Sequence, residues 1–307
     1  MSTARVADVT ITNADKVWWS DEGITKGEVA GYYARVATRL LPFTVNRPLT
    51  VERCPDGFRG RCFYQKNFAV AERLGIPTVA IRATSVNRLV HYPLGNDVAT
   101  LLALVNLGGL SLHLTSCRAG SLDVADWLAF DLDPAARFAD AVQAAGVLRE
   151  VLDDAGLRSY VKTTGGKGLH VLVPLRPRTP HADVLAYAGL LAERVIAKAP
   201  DLTTSSFAKS GRGGRVYLDL ARNVCGATLV APYSVRHRPH APVSTPLSWD
   251  ELRADLDPAR LNVRSVLERL AAEDPWREFW SDRQKLPSPR RASAANRAVG
   301  RKRRSVA

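Results

Sequence analysis

Two aspartates, Asp131 and Asp133, directly follow an apolar segment, residues 127–130. This segment has the length of a strand, and side chains two positions apart on a strand point to the same face, so the two carboxylates project side by side. Each carboxylate raises the pKa of the other by charge repulsion, and a divalent cation such as Mg²⁺ or Mn²⁺ relieves that repulsion. Pro134 has no backbone N–H and ends the strand, and the alternative is a pair of solvated turn aspartates after a buried strand.

A glycine-rich turn, residues 163–168, joins two segments with strand-like composition. Its glycines let backbone N–H groups approach a phosphate closely, while Lys167 adds a positive charge and Thr164 adds a hydroxyl donor. His170 follows on the second segment, from which it can donate to the same anion. The order of residues differs from that of a P-loop, in which the lysine opens a helix. The turn therefore predicts a phosphate site, with a lysine-bearing hairpin turn as the alternative.

A third acid, Asp219, ends an alternating segment and is followed by Arg222 and Arg236. Taken alone, Asp219 is equally well explained as a structural acid in a salt bridge. Together with Asp131 and Asp133 it predicts a three-carboxylate site for two metal ions, which can activate a 3′-hydroxyl and stabilise a leaving pyrophosphate. The two arginines would neutralise a triphosphate.

The remaining sequence mixes strand and helix patterns without strict alternation, which predicts an α+β fold with a mixed or antiparallel sheet covered by helices. Capping boxes at Thr25 and Ser248 predict two helix starts. Further helices are expected from Asn96-Asp97 to about Leu107 and over residues 137–154, 182–198 and 264–273. Strands are expected at residues 49–54, 61–66, 88–92, 110–114, 159–162, 169–173 and 215–220, with His113 on a polar strand face. Residues 232–247 show no periodicity and are expected to form a surface connector.

The composition of the 307-residue chain indicates a polyanionic partner, nucleic acid first, because the net charge is +13 and the pI is about 10.0. Residues 287–307 carry seven basic residues and no acid, which predicts a disordered basic tail after a domain of residues 1–286. No apolar run reaches the roughly 18 residues of a membrane span, and no signal core is present, so a cytoplasmic, nucleoid-associated protein is expected.

The four cysteines, Cys54, Cys62, Cys117 and Cys225, contain no CxxC pair. A structural zinc site is therefore not expected, and the four residues are predicted to be reduced, mostly buried thiols.

As a set, these motifs resemble the archaeo-eukaryotic primase superfamily, and most closely the polymerase domain of bacterial ligase D, a non-homologous end-joining polymerase. The superfamily resemblance rests on the order Asp131-Leu132-Asp133, Thr164-Gly165-Gly166-Lys167-Gly168-Leu169-His170 and Asp219. The ligase D resemblance adds Asn13-Ala14-Asp15-Lys16, Thr25-Lys26-Gly27, Cys62-Phe63-Tyr64-Gln65-Lys66, Asp219-Leu220-Ala221-Arg222-Asn223 and Ala231-Pro232-Tyr233-Ser234-Val235-Arg236. It covers about residues 8–286.

This resemblance implies a primase-polymerase catalytic core that holds two divalent ions, Mn²⁺ or Mg²⁺, on Asp131, Asp133 and Asp219. It also implies nucleoside triphosphates as substrates, with ribonucleotides generally preferred. The implied nucleotide-binding residues are His113, Thr164, Lys167, His170, Arg222 and Arg236.

On the DNA side, the resemblance implies binding of gaps or broken ends that carry a downstream 5′-phosphate. Lys16 and Lys26 would hold this phosphate, and a lysine at a predicted helix N-terminus is better explained if an anion lies beside it. Phe63 and Tyr64 would stack on the template. Arg53 belongs to the same implied set.

The chain departs from the family pattern at Thr164, where serine is more usual, and at Trp18-Trp19, which replace smaller aromatic residues. No ligase or nuclease module is attached, so a stand-alone relative is expected, acting in end joining with Ku or in gap filling with a separate ATP-dependent DNA ligase. Two alternatives stay open: a catalytically inactive DNA-end-binding module, and a haloacid-dehalogenase-type phosphatase. The phosphatase also uses Asp-x-Asp after an apolar strand, but its motif does not continue with proline as here.

Overall fold

The computed structural model describes residues 2–68, 71–83 and 87–287. Apart from its first residue, the predicted basic tail, residues 287–307, lies outside the described residues.

The described part of the chain forms a mixed α and β structure, which confirms the predicted α+β class. Its α-helices are α1 (Lys26–Thr44), α2 (Val98–Asn106), α3 (Phe138–Asp154), α4 (His181–Lys198) and α5 (Ser265–Arg269). Its strands are β1 (Thr3–Val6), β2 (Val9–Thr12), β3 (Val17–Trp19), β4 (Ile24–Thr25), β5 (Leu49–Arg53), β6 (Phe63–Gln65), β7 (Thr78–Ala83), β8 (Arg88–Pro93), β9 (Gly109–Thr115), β10 (Val124–Asp133), β11 (Tyr160–Thr163), β12 (Leu169–Pro180), β13 (Thr203–Thr204), β14 (Val216–Asp219), β15 (Thr228–Val230) and β16 (Pro246–Leu247).

The larger sheet has six strands in the order β13-β14-β10-β12-β11-β16. Neighbouring strands are antiparallel except for the parallel pair β13 and β14. Helices α3 and α4 pack against each other and against the central strands β10 and β12. These central strands are apolar on both faces over residues 127–130 and 171–175, as expected for strands buried inside a sheet. Asp131, Asp133 and His170 lie where β10 ends and β12 begins, and the far end of β12, residues 176–180, is polar and largely exposed.

The smaller sheet has four antiparallel strands in the order β15-β9-β5-β6. Helix α2 contacts β9, and α1 packs against α2. The predicted capping box begins α1: the Thr25 hydroxyl accepts from the Glu28 N–H at 3.1 Å, and Glu28 accepts from the Thr25 N–H at 2.9 Å. Pairs β1-β2, β3-β4 and β7-β8 form separate two-stranded hairpins.

Three local predictions are corrected by the structure. Residues 232–247 are not a surface connector, because all but the short stretch 236–240 is buried. This segment folds back on itself: the Tyr233 N–H donates to the Ser244 carbonyl at 2.8 Å, and the Ser244 N–H donates to the Ser234 carbonyl at 2.9 Å. The hydroxyl of Tyr32 on α1 donates to the Tyr233 carbonyl at 2.8 Å. Its backbone polar groups therefore have partners inside the protein, which lets an irregular segment be buried.

The other two corrections concern β9 and the last helix. Every residue of β9 is buried, so His113 does not lie on a solvated face. The predicted helix over residues 264–273 is limited to Ser265–Arg269. None of the helices in the described ranges combines the length and apolar character that crossing a bilayer requires.

The prediction of four reduced thiols is wrong for one pair, because Cys54 and Cys62 form a disulfide. Strands β5 and β6 pair with Arg53 opposite Phe63, so the next residues outward, Cys54 and Cys62, also face each other. Cys117 is a buried thiol and Cys225 is an exposed one.

Candidate active site

A cleft of about 520 Å³ lies between the two sheets and contains most of the predicted chemistry-bearing residues. The larger sheet contributes Asp131, Asp133 and His170, and the smaller sheet contributes Tyr64, His113 and Val230. The rest of the lining consists of Thr50, Lys66, Thr164, Gly166, Lys167, Gly168, Arg222, Thr228, Leu229, Arg236 and Arg238.

The three predicted carboxylates are brought together by the register of the larger sheet. Asp131 on β10 lies directly opposite Asp219 on β14 and, on its other side, opposite His170 on β12. Residues directly opposite each other share one sheet face with Cβ atoms about 4.5–5.5 Å apart. Asp133 lies two residues along β10 on that same face. The spacing in the sequence predicted that Asp131 and Asp133 lie side by side. The pairing of β10 with β14 shows that Asp219 joins them on the same face.

Positive side chains offset the mutual repulsion of these acids. Arg222 bridges two of them, with Nε 3.2 Å from an Asp131 oxygen and Nη2 3.1 Å from an Asp219 oxygen. Arg212 Nη1 lies 3.2 Å from Asp133 Oδ2. Burial alone would raise the pKa of Asp131, but the charges and hydrogen bonds of His170 and Arg222 hold it below its usual value. Asp131 is therefore a carboxylate at neutral pH.

The donor set fits hard divalent ions, because three carboxylates meet on one face and already attract cationic groups. In this arrangement the carboxylate oxygens of Asp131, Asp133 and Asp219 do not all lie within 4.8 Å of one another, although all three residues are within the described ranges. Each acid is instead paired with an arginine, and Asp133 is more than half exposed beside Arg212.

The predicted phosphate turn packs directly onto the end of β10. The carbonyl of Gly168 accepts hydrogen bonds from both the N–H and the hydroxyl of Thr164, each at 3.1 Å. Gly165 has a φ of +68°, which favours glycine, and a Cβ there would overlap the Arg236 side chain. Lys167 is exposed at the cleft. The turn thus places its lysine and its backbone beside the carboxylates.

The cleft wall behind the turn is built from buried, desolvated basic groups. Burial, followed by the neighbouring positive charges, lowers the pKa of His113 and of Lys162 well below their usual values. Burial also lowers the pKa of Arg236. The pKa of His170 is lowered to about 4, again mainly by burial. Among the described residues, His113 Nε2, His170 Nδ1 and Arg236 Nε are buried without a hydrogen-bond partner. An anion with several acceptor oxygens would provide hydrogen-bond partners for these nitrogen atoms.

Two residues of the site were not predicted from the sequence. Lys162 on β11 lies opposite His170 and donates to Ser244 from a position that is 1% exposed. The signal that could have indicated Lys162 was the occurrence of a lysine within a segment of strand-like, mostly apolar composition. Arg212, which pairs with Asp133, comes from a glycine-rich loop in which its position gave no signal.

The predicted phosphate lysines, Lys16 and Lys26, lie next to each other, joined by a hydrogen bond from the Lys26 N–H to the Lys16 carbonyl. Lys26 is buried, with Nζ donating to Thr12 O at 2.7 Å and to Asn106 Oδ1 at 2.8 Å. Burial and then the charge of Lys16 lower the pKa of Lys26. Lys16 Nζ donates to a neighbouring loop, at 2.8 Å from both Pro55 O and Asp56 Oδ1.

The predicted stacking residues on β6 are exposed, Phe63 by 41% and Tyr64 by 57%. They point to opposite sides of the strand. Tyr64 contacts His113 edge to face with ring centroids 5.2 Å apart, inside the cleft. Phe63 lines a second cleft with Pro55, Asp56 and Arg61. The Arg53 guanidinium lies 5.5 Å from the Phe63 ring centroid, so it fixes this aromatic surface.

Comparison with known proteins decides the family. The model of the LigD primase-polymerase domain matches residues 25–276. The chain belongs to this family. The expected polymerase of the nucleotidyltransferase type is thereby confirmed at the level of the family, which leaves the haloacid-dehalogenase alternative without support.

The relatives of this LigD family member are longer proteins that are named for non-homologous end joining. The multifunctional non-homologous end joining protein LigD of Pseudomonas aeruginosa is 32% identical over 98% of this chain, and the bifunctional LigD of Bacillus subtilis is 31% identical over 90% of it. The chain spans only 36% and 45% of the lengths of these two proteins. Among solved structures, the polymerase domain of Mycobacterium tuberculosis ligase D, in complex with DNA, is similar with a TM-score of 0.82 and 31% identity. That likeness covers 90% of this chain and 99% of the neighbour.

The contact between the phosphate turn and β10 yields a prediction for Gly168→Ala. The added Cβ would stand 2.5 Å from the Leu132 carbonyl oxygen, so the turn and the end of β10 must separate. We expect the free energy of unfolding to fall by about 1–3 kcal/mol in urea denaturation.

Gly146→Ala in α3 is the matched control, because nothing lies within 4 Å of its Cβ position. This variant should gain up to about 1 kcal/mol from the higher helix propensity of alanine. Equal unfolding midpoints for the two variants would show that the turn does not depend on close contact with β10.

Proposed function

We propose that this chain is a template-directed polymerase that adds nucleotides, with a preference for ribonucleotides, to 3′ ends at gaps or double-strand breaks during DNA repair. The observation that carries the proposal is a cleft in which Asp131 and Asp133, with Asp219 directly opposite Asp131 on the next strand, stand beside a wall of desolvated basic groups. The repair context is supported by the relatives, which are named as end-joining proteins. It is also supported by the similar solved structure, which is a complex with DNA. The ribonucleotide preference rests on the family resemblance.

Asp131, Asp133 and Asp219 would hold the two divalent ions, Mn²⁺ or Mg²⁺. When bound, such ions favour deprotonation of a 3′-hydroxyl and stabilise the charge that develops on a leaving pyrophosphate. His170 Nε2, 3.4 Å from Asp131 Oδ1, fixes the orientation of that carboxylate. Arg222, which now bridges Asp131 and Asp219, is free to turn toward phosphate oxygens once the acids have other cations beside them.

The incoming triphosphate would bind between the glycine turn and the basic wall. Lys167 supplies an exposed ammonium, Thr164 a hydroxyl, and Arg236 a buried guanidinium whose Nε has no partner in the described structure. Lys162 lies behind them and strengthens the positive potential where few waters can screen it. His113, which lines the cleft beside Tyr64, would contact the nucleotide.

The DNA would approach from the side of β6. Stacking on Phe63 and Tyr64 is tolerant of sequence, as end repair requires, and the net charge of +13 attracts the phosphate backbone. Lys16, in the loop before α1, and Lys26, the first residue of α1, would hold a 5′-phosphate, which the positive end of the helix dipole also favours. Ku and a separate ATP-dependent DNA ligase are the partners that this role implies.

The test of the catalytic proposal is primer extension by Asp133→Ala. Asp133 is more than half exposed, so its loss leaves the core intact while removing one of the three metal-binding carboxylates. We expect extension on a gapped template with Mn²⁺ or Mg²⁺ to be abolished, while affinity for the same DNA stays within about twofold of wild type.

Asp153→Ala on α3 is the control, because that acid is 61% exposed and lies outside the cleft. Its extension rate should match that of wild type. Extension at the wild-type rate by Asp133→Ala would refute the assignment of the site.

The DNA-side proposal predicts a preference for a downstream 5′-phosphate over a 5′-hydroxyl. Each charge-assisted hydrogen bond contributes about 1.5–3 kcal/mol, so gapped DNA with the phosphate should bind more than about tenfold more tightly. Lys16→Ala combined with Lys26→Met should remove this preference, with methionine chosen because Lys26 is buried and its stem packs in the protein.

Fluorescence anisotropy on the two DNAs measures the preference, and simple primer extension at high enzyme concentration should be retained. Lys198→Ala, at an exposed position on α4, controls for the general loss of positive charge. A double variant that still discriminates phosphate from hydroxyl would place the phosphate pocket elsewhere.

A further inference from the structure

The disulfide between Cys54 and Cys62 closes a short loop, residues 55–61, which connects β5 to β6 at the turn end of the hairpin. Neither the catalytic cleft nor the metal-binding acids use this pair. Cys54 is completely buried, whereas Cys62 is partly accessible, so the two sulfurs differ in exposure. In such a pair, solvent reagents reach Cys62 first and Cys54 can then resolve the product.

A histidine stands beside the accessible sulfur. His237 Nε2 is 3.4 Å from Cys62 Sγ and 2.7 Å from the Phe58 carbonyl oxygen, which belongs to the same loop. On the other side of the ring, Nδ1 is 3.7 Å from Glu52 Oε1. Because the Phe58 carbonyl oxygen can only accept, His237 Nε2 carries a proton, and it can also donate to the sulfur of a reduced Cys62. A hydrogen-bond donor beside the sulfur stabilises the Cys62 thiolate that forms once the disulfide is reduced.

The loop that the disulfide closes supports the DNA-side residues. Its Pro55 carbonyl and Asp56 carboxylate hold Lys16 Nζ, each at 2.8 Å, and the Phe58 N–H donates to the Trp18 carbonyl at 2.8 Å. Pro55, Asp56 and Arg61 line, together with Phe63, the second cleft of about 410 Å³. A change in the mobility of this loop would therefore affect the positions of both Lys16 and Phe63.

We propose that Cys54 and Cys62 are a reversible thiol–disulfide modification site that sets how tightly the chain holds a 5′-phosphorylated DNA end. The proposal rests on the DNA-binding function given above. The oxidant is hydrogen peroxide and the reductant a dithiol. The Cys62 thiolate attacks the peroxide and breaks its O–O bond, which gives Cys62 sulfenic acid and, with one proton, water. Cys54 then attacks the Cys62 sulfur, the disulfide forms, and a second water leaves. Two thiols have lost two electrons and two protons, and the peroxide has gained them.

The oxidised form is the one that binds DNA more tightly. Linking the two ends of the loop removes conformational freedom before DNA arrives, so less freedom is lost on binding. With the disulfide reduced, residues 55–61 are joined to the rest of the protein only through their non-covalent contacts. We expect reduction to weaken binding of 5′-phosphorylated gapped DNA by about three- to tenfold and to weaken binding of the 5′-hydroxyl DNA less.

The experiment has a chemical arm and a DNA-binding arm, both on the full chain. Native protein treated with dithiothreitol should show two more reactive thiols than peroxide-treated protein, and peptide mapping should assign them to Cys54 and Cys62. Anisotropy then compares both forms on 5′-phosphate and 5′-hydroxyl gapped DNA. Cys54→Ser with Cys62→Ser should bind like the reduced form under both treatments, whereas Cys225→Ser, at an exposed single thiol, should keep the full redox response.

Three results would overturn the proposal. The first is a disulfide that forms without any change in DNA affinity, provided that DNA binds at all. If neither form binds DNA, the proposed function itself is wrong, and with it this use of the disulfide. The second is failure of peroxide to join the two thiols. The third is the binding of one Zn²⁺ per reduced chain that protects the two thiols from peroxide, because the cluster would then be a metal site. Cys54, Cys62 and His237 offer ligand atoms within 4.8 Å of one another for such an ion.

Discussion

Charge repulsion among three carboxylates on one sheet face is the constraint on which the site depends. Asp131 and Asp219 lie directly opposite each other on paired strands, and Asp133 lies two positions from Asp131, so their charges cannot be separated by a change of rotamer alone. Such acids stay ionised together only if positive charge stands beside each of them. Arg222 and Arg212 supply that charge within the protein. Divalent ions would supply it during catalysis, which releases the arginines.

The two-sheet architecture makes this arrangement possible. The larger sheet provides a rigid row of side chains from Asp219 through Asp131 and His170 to Lys162, whose order is set by strand register. The smaller sheet closes the cleft and carries the exposed aromatic residues Phe63 and Tyr64 on β6. Because Asp219, Asp131, His170 and Lys162 stand on successive strands of one sheet, backbone hydrogen bonds and not flexible loops fix the spacing between the acids and these two basic residues.

Much of the fold and of the site follows from local sequence, because the relevant signals are local. Strand alternation, the cap at Thr25 and the Asp-x-Asp and glycine-turn motifs each involve residues within a few positions of one another, and the structure places them as expected. His113 was found through the family pattern, although its burial was not. The grouping of Asp219 with Asp131 was a hypothesis that only strand pairing could establish.

The features that escaped prediction depend on contacts between distant segments. Residues 232–247 are buried because α1 and the turn after β11 satisfy their backbone groups. Arg47 is completely buried, bonded to Asp126 at 2.6 Å and stacked on Trp127 at 4.2 Å, yet its neighbours in sequence give no sign of this. The Cys54–Cys62 disulfide could be predicted only from the pairing register of β5 and β6. The spacing of two cysteines eight positions apart does not reveal that register.

The central claim is that the carboxylate row holds two divalent ions beside a bound triphosphate. Electron paramagnetic resonance of Mn²⁺ titrated into the protein with a non-hydrolysable nucleoside triphosphate counts these ions directly and reports whether they are magnetically coupled. Two coupled Mn²⁺ ions per chain are expected. A saturating count of one ion, or of none beyond those bound by the nucleotide alone, would contradict the two-metal site.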